Sequence, residues 1–269
     1  MNIVLLMNND IASNLALNLL LPSLKQYNLS VFLSSNVGGK KVKPAALKEL
    51  AQFEQHDVFK SLQKIENVKY QLKLFSEIAA KNSIRIETLN EINTANGIDK
   101  ISALAPDLII SIRYGVILRK PVIDCAKHGV INLHSGSLPD YRGVMATFWA
   151  MFSSEKTLSA TLHFITDNTI DTGGVIAKTR FAVQPNKSYL WHVLSLYVDG
   201  CQLIESVVNQ VRNNERIDTY QQADTGQYFS FPTTEQIAEF VEQYGALYQH
   251  DEVIRLLLKA TLKIAPKTI

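Results

Sequence analysis

An amide, an imidazole and a carboxylate occur in this chain at spacings that suit acyl transfer. Asn132 and His134 are separated by one residue in a short apolar stretch, so on an extended backbone both side chains point to the same face. Asp171 follows in a polar turn, Ile170-Asp171-Thr172-Gly173. An uncharged N–H donor can hold an oxyanion, and an imidazole with a carboxylate can carry a proton near neutral pH. We therefore take Asn132, His134 and Asp171 as the candidate catalytic set.

Each of these residues also has a purely structural interpretation. Asn132 could satisfy the polar groups at a strand end, and a single histidine is often structural. Asp171 could be an ordinary turn residue, because an aspartate before Thr172-Gly173-Gly174 is a common turn composition. Asp167 is the chief competitor of Asp171 for the role of catalytic carboxylate. There is no Gly-x-Ser-x-Gly motif, so a serine nucleophile is not expected.

Two linked motifs surround the set and carry a family resemblance. They are Asn132-Leu133-His134 with Leu138-Pro139, Asp140, Tyr141 and Arg142-Gly143, and then Asp171-Thr172-Gly173. In order and spacing they resemble the motifs of the 10-formyltetrahydrofolate-dependent formyltransferases. The resemblance implies formyl transfer from 10-formyltetrahydrofolate, as co-substrate and without a metal, to a primary amine. Asn132 and His134 would then hold the oxyanion, while Asp171 would receive the amine proton, directly or through a water.

The resemblance also implies where the two substrates bind. The folate would be held mainly by backbone groups of two segments, whose residues are Tyr114, Val116, Ile117 and Leu118, and Thr166, Asp167 and Ile170. The residues assigned to the amine substrate are Ser135, Gly136, Tyr141, Arg142 and Asn9. Tyr141 and Arg142 could equally brace the loop, and the apolar residues of the folate segments could equally be ordinary core.

Strand and helix patterns alternate along most of the chain. Strands are predicted at 3–7, 29–34, 84–86, 108–112, 129–133, 159–165 and 175–183, and helices at 11–27, 45–53, 68–81, 98–104, 144–152 and 189–212. Residues 36–41 are predicted to be a loop. This alternation predicts an α/β fold with a mostly parallel, Rossmann-like sheet, whose ligands bind beyond the carboxyl ends of the strands. The catalytic domain is expected to span residues 1–212.

Residues 213–269 are predicted to form a small, largely helical C-terminal appendage. Thr233 or Thr234 can cap one helix, and another is predicted from Glu252 to Leu262. The apolar helical residues could cover the core or pair subunits, so a homo-oligomer remains open. For the aromatic side chains of Tyr228, Phe229 and Phe231 we favour anchoring of the appendage over stacking on a base or sugar.

Composition narrows the class of partner. The chain has 269 residues, 46% hydrophobic and 19% charged, which suits a globular protein with a sizeable core. Its 27 basic and 25 acidic residues give a net charge of +2, which disfavours a nucleic-acid partner unless a local basic patch exists. The two cysteines, Cys125 and Cys201, are expected to be buried thiols in a reducing compartment. Without a signal-like start or an apolar run of about 20 residues, we expect a cytoplasmic protein without a membrane span.

Two departures from family patterns bear on the acceptor. Glycinamide-ribonucleotide formyltransferases resemble one another in a glycine-rich phosphate loop after the first strand, but here residues 8–14 have no glycine and include Asp10. The 57 residues from Asn213 onward are fewer than the β-rich tRNA-reading domain of methionyl-tRNA formyltransferases would need. The chain is thus nearest to the sugar N-formyltransferases, which act on nucleotide-linked amino sugars. The alternatives are methionyl-tRNA or glycinamide ribonucleotide as acceptor, hydrolysis of 10-formyltetrahydrofolate, or folate or nucleotide-sugar binding without turnover.

Overall fold

A seven-stranded sheet lies at the centre of the molecule. The computed structural model describes residues 1–37, 42–65 and 72–262. The strands of the sheet are β1 (Asn2–Asn8), β2 (Asn28–Ser34), β3 (Arg85–Thr88), β4 (Leu108–Ile112), β5 (Val130–His134), β8 (Thr161–Ile165) and β9 (Val175–Lys178). Their order is β3-β2-β1-β4-β5-β8-β9. The first five strands run parallel, whereas β8 is antiparallel to both β5 and β9.

Helices cover this sheet and confirm the predicted α/β class. They are α1 (Ile11–Leu24), α2 (Ala45–Gln52), α3 (Val58–Gln63), α4 (Phe75–Asn82), α5 (Ala95–Ser102), α6 (Lys120–Ile123), α7 (Ala146–Phe152), α8 (Tyr189–Arg212), α9 (Thr234–Tyr244) and α10 (His250–Leu262). A π-helical turn, Phe53–Asp57, joins α2 to α3. All five residues of β4 are buried, as a strand covered on both faces requires. None of the helices in the described part of the chain is long and apolar enough to cross a membrane.

Several predicted boundaries differ from the structure. The strand predicted at 175–183 is two strands, because after β9 the chain leaves the sheet and β10 (Phe181–Ala182) pairs with β7 (Thr157–Leu158). The helix predicted at 68–81 begins only at Phe75, and the part of that prediction at 68–71 lies outside the described residues. Residues 38–41 of the predicted loop lie outside them too.

The C-terminal region is helical, as predicted, but it is packed closely onto the rest of the molecule. Ile237, Phe240 and Leu257 belong to the same hydrophobic core as helix α8. A short strand, β11 (Gln227–Phe229), pairs in parallel with β6 (Tyr141–Gly143), which is part of the first sequence motif. The described residues after 212 therefore contact the loops that carry the candidate catalytic set.

Candidate functional site

The register of the sheet places three polar side chains side by side. Asn132 and His134 lie at the carboxyl end of β5, as predicted. On the neighbouring antiparallel strand, His163 is the Cα partner of Asn132. The Asn132 side-chain amide and His163 Nε2 are 3.0 Å apart, which makes a hydrogen bond across the strand pair.

Asp171 lies between the two imidazoles. Its Oδ2 is 3.5 Å from His134 Nδ1, and its Oδ1 is 3.5 Å from His163 Nε2. The backbone N–H of Gly143 donates a 2.8 Å hydrogen bond to Oδ2. Asp171 has a positive φ of 56°, a conformation in which Asp is one of the few tolerated side chains. The structure thus brings the three predicted residues together and places His163 beside them.

The surroundings of Asp171 keep its carboxyl ionised. Burial raises its pKa, but the nearby imidazoles of His134 and His163 and the hydrogen bond from the Gly143 N–H more than offset burial, and the pKa lies at about 2. Asp171 is therefore an anion throughout the neutral range.

Backbone carbonyls fix the orientation of both rings. His134 Nε2 is 2.7 Å from the Tyr141 carbonyl, and His163 Nδ1 is 2.9 Å from the Phe164 carbonyl. Since a carbonyl only accepts, both of these ring nitrogens carry their hydrogens. His134 Nδ1 thus remains to take or give a proton beside Asp171, and in neutral His163 the Nε2 accepts from Asn132.

A cavity of about 730 Å³ opens over this site. Most of the predicted site residues line it: Asn132, His134, Asp171, Ser135, Tyr114, Val116, Ile117, Leu118, Asp167 and Ile170. Its volume falls in the range of small-molecule sites. Among hydrogen bonds between described residues, none uses the backbone of Val116 or Leu118. Their backbone N–H and C=O groups are thus not engaged by other described residues.

Five of the predicted residues are not among the described residues that line this cavity. Gly136 and Tyr141 border a separate cavity of about 200 Å³, and the Tyr141 hydroxyl donates to Glu155 at 3.0 Å. The Arg142 guanidinium extends toward Gln222. Asn9 is exposed, and Thr166 lies at the exposed start of the Asp171 loop. The loop geometry thus directs Tyr141 and Arg142 into structural contacts, one of the two roles left open for them.

Another part of the cavity wall is charged, which the sequence patterns did not reveal. Arg113 directly follows β4, the strand beside β5, and has a positive φ of 59°. Its guanidinium donates to Asp10 at 2.8 Å and to Glu54 at 3.0 Å. Burial raises the pKa of Glu54 to about 7, and this effect, together with the nearby charge of Asp10, outweighs the lowering of the pKa by Arg113. Glu54 and Arg113 line the cavity together with Lys43.

The C-terminal aromatic residues divide between the two roles considered for them. Phe229 stacks on Tyr141 at 5.6 Å and on Trp149 at 5.0 Å between ring centroids, so it anchors the segment, as favoured. Tyr228 is 55% exposed and lines the cavity, as does Phe231, whose ring lies 4.8 Å from Lys43 Nζ. Two of the three rings are therefore available to a ligand.

Comparison with known proteins identifies the family of this fold. The sequence profile of the formyl transferase family matches residues 40–190. A methionyl-tRNA formyltransferase from Clostridium tetani is 32% identical over 142 residues, which are 52% of this chain and 46% of the relative. This chain spans about half the length of such relatives.

Solved structures agree in fold. An N-formyltransferase from Helicobacter canadensis, in complex with folinic acid and dTDP-3-aminofucose, superposes with a TM-score of 0.55 at 18% identity, over 86% of this chain and 71% of its own. Glycinamide ribonucleotide transformylase 1 from Symbiobacterium toebii superposes with a TM-score of 0.57 at 12% identity, over 83% of this chain and 95% of its own. At these identities the likeness concerns the fold alone.

Proposed function

This chain belongs to the formyl transferase family, and we propose that it transfers a formyl group from 10-formyltetrahydrofolate to a primary amine. The observation that carries the proposal is the buried Asp171 carboxylate, within 3.5 Å of both His134 and His163 at the wall of the cavity. A protein that only binds folate has no need of an ionised carboxylate held between two imidazoles.

Asn132 is suited to stabilise the oxyanion that forms when an amine attacks a formyl carbon. One N–H of its amide is engaged with His163, which fixes the amide plane and leaves the second N–H for the substrate oxygen. A donor that is held in advance stabilises charge without reorganisation. His163 is thus a positioning residue for Asn132.

The amine must lose a proton as its bond to the formyl carbon forms. The pKa of Asp171, at about 2, makes it a poor final acceptor for that proton. We place the proton on His134 Nδ1 instead, where the carboxylate 3.5 Å away stabilises the imidazolium. When the bond from the formyl carbon to the folate nitrogen breaks, His134 can return the proton to that nitrogen. This assigns to Asp171 an electrostatic role in place of the role expected from the sequence, in which it receives the proton directly or through a water.

The folate fits the side of the cavity formed by residues 113–118 and 167–170. The open backbone groups of Val116 and Leu118 can pair with a pterin, and the apolar side chains of Val116, Ile117 and Ile170 can cover its ring. The formyl group supplies the electrophile when the folate is bound. Asn132 and His134 border the same cavity and are thus placed to meet it.

For the acceptor we propose a small amine, specifically the amino group of a nucleotide-linked amino sugar. Three basic and three acidic side chains line the cavity, of which Glu54 is only about half ionised at pH 7, so the lining carries little net charge: Lys43, Arg113 and Arg119, and Glu54, Asp167 and Asp171. A tRNA-binding surface would show a basic excess. Tyr228 and Phe231 offer rings on which a base can stack.

The start of helix α1 argues against glycinamide ribonucleotide. Asp10 caps the helix, and its Oδ1 accepts from the Ser13 N–H at 2.8 Å. Its Oδ2 is bound by Arg113 and by the Asn8 amide. The place where a phosphate could bind at the helix N-terminus is thus filled by the protein's own carboxylate.

Methionyl-tRNA is the second candidate acceptor, because the Clostridium tetani relative, which is 32% identical, is a methionyl-tRNA formyltransferase. An acceptor panel separates the two. The purified protein is incubated with 10-formyltetrahydrofolate and with dTDP-linked amino sugars, glycinamide ribonucleotide, methionyl-tRNA or no acceptor. Products are identified by mass spectrometry.

We expect release of tetrahydrofolate that requires an amino sugar and yields its N-formyl derivative. Release without an amine would show a hydrolase, and no release with any acceptor would show a binding protein. Formylation of methionyl-tRNA alone would overturn the small-amine assignment. Asn132→Ala should lower kcat roughly 10²- to 10³-fold, as loss of an oxyanion donor does. Asn209→Ala, at an exposed position on α8, is the matched control and should leave kcat unchanged.

A further inference from the structure

The turn that presents Asp171 is held by a residue far along the chain. The Gln222 side-chain amide donates to the Asp171 carbonyl at 2.9 Å and to the Gly173 carbonyl at 2.7 Å. Its Oε1 accepts from Arg142 at 3.4 Å. One side chain from beyond the family-matched residues 40–190 thus connects both sequence motifs.

The chemistry of these contacts requires an amide. The two carbonyls can only accept and the guanidinium can only donate, so the orientation of the Gln222 amide is determined by its partners. Asp171 has a left-handed backbone conformation, which for a non-glycine residue persists only when its surroundings hold it. Gln222 binds the carbonyl of Asp171 itself and the carbonyl of Gly173, two residues further along the turn.

The backbone around Gln222 reinforces this arrangement. Tyr220 and Val175 exchange two hydrogen bonds, of 2.9 Å and 3.0 Å, directly after the Asp171 turn. Further on, Phe229 pairs with Gly143, whose N–H donates to the Asp171 carboxylate. The segment 219–229 therefore runs between the two loops that determine the position of that carboxylate.

We propose that Gln222 is a positioning residue for the transfer reaction, which holds the Asp171 carboxylate between His134 and His163. The expected change in kcat rests on the proposed function, whereas the placement of the Asp171 carboxylate by Gln222 does not. A misplacement of about 1 Å in a catalytic group can lower a rate by roughly 10²-fold. We expect loss of the Gln222 contacts to lower kcat about 10- to 100-fold, with little change in the KM for the folate.

The test compares Gln222→Met, which keeps the length of the side chain but removes both donors, with Gln221→Met at the exposed neighbouring position. Gln222→Glu is the second variant, because it keeps the contact with Arg142 but cannot donate to the carbonyls. Thermal melting and binding of 5-formyltetrahydrofolate establish that each variant is folded.

Two readouts are measured: kcat and KM with the accepted amine, and the titration of the Asp171 carboxyl carbon by NMR. In both Gln222 variants we expect a lower kcat and a pKa of Asp171 that rises from about 2 toward its ordinary value of 3.8. Gln221→Met should change neither. A wild-type kcat in Gln222→Met would overturn the proposal, as would lower activity with an unchanged Asp171 titration. If the wild-type protein formylates no acceptor, the proposed function fails, and the titration alone still decides the positioning role.

Discussion

Replacing Asp171 with Asn removes the charge of the site while keeping its shape. The pKa of Asp171 lies at about 2 in the folded protein, against an ordinary value of 3.8. A difference of about 1.8 in pKa corresponds to about 2 kcal/mol of folding stability. Because the folded pKa is depressed, this stability is present above pH 4 and is lost as the pH falls through 3.8 toward 2.

We therefore expect Asp171→Asn to be about 2 kcal/mol less stable than the wild type at pH 6. About half of that difference should remain at pH 3, where the folded protein still keeps the carboxyl ionised but the unfolded chain does not. Urea unfolding at pH 6, 4 and 3 measures it. Asp199→Asn, at an exposed position on α8, is the control and should change stability little.

A stability difference that stays constant with pH would refute this reasoning. It would show that the variant loses hydrogen bonds or packing and not the interaction of the carboxylate with His134 and His163. Equal stability of the two proteins at pH 6 would refute it as well, because the cost of burying Asp171 would then cancel the interactions with its favourable partners.

Three further changes test other parts of the site. His163→Phe leaves the Asn132 amide and the Phe164 carbonyl without their partner. The free energy of unfolding, measured by urea titration, should therefore fall by roughly 1–3 kcal/mol. Turnover, measured by initial rates, should fall at least about tenfold. Gly143→Ala should destabilise by about 1–3 kcal/mol in the same titration, since φ is +95° and the new Cβ would lie 2.3 Å from the Phe229 carbonyl oxygen. The stability of the wild type should fall as the pH rises from 4.5 to 7, because the folded pKa of Glu54 is raised to about 7 and the unfolded chain ionises first. Glu54→Gln, which cannot ionise, should not show this fall.

The buried elements of this fold could be predicted because their sequences carry a strong pattern. The almost uniformly apolar run Leu108–Ile112 is β4 without any shift in its bounds, and the amphipathic stretch Tyr189–Arg212 is α8. The candidate catalytic residues could be found because Asn132, His134 and Asp171 belong to motifs with fixed spacing. Local patterns and short motifs are properties of the sequence itself.

Contacts between distant segments could not be predicted in the same way. Gln222 lies 51 positions from Asp171, and nothing in its neighbourhood distinguishes it from Gln221. Arg113 and Glu54 form an ion pair across 59 positions. The short strands β6 and β11 consist of three residues each, too few to show an alternating pattern. Such pairings depend on the folded sheet and not on local preference.

The reversal of strand direction at β8 explains why the second motif ends in a glycine. Because β8 is antiparallel to β5, its carboxyl end at Ile165 lies beside Val130, at the end of β5 remote from His134. The loop after β8 must therefore fold back along the sheet before Asp171 can reach both imidazoles. It does so against the backbone of β8, where a Cβ on Gly173 would lie 1.9 Å from the Phe164 carbonyl oxygen. Only glycine permits that approach, and the left-handed turn at Asp171 directs the carboxylate back toward His163 and His134. The spacing of the motif is thus determined by the path that the chain must take between two antiparallel strands.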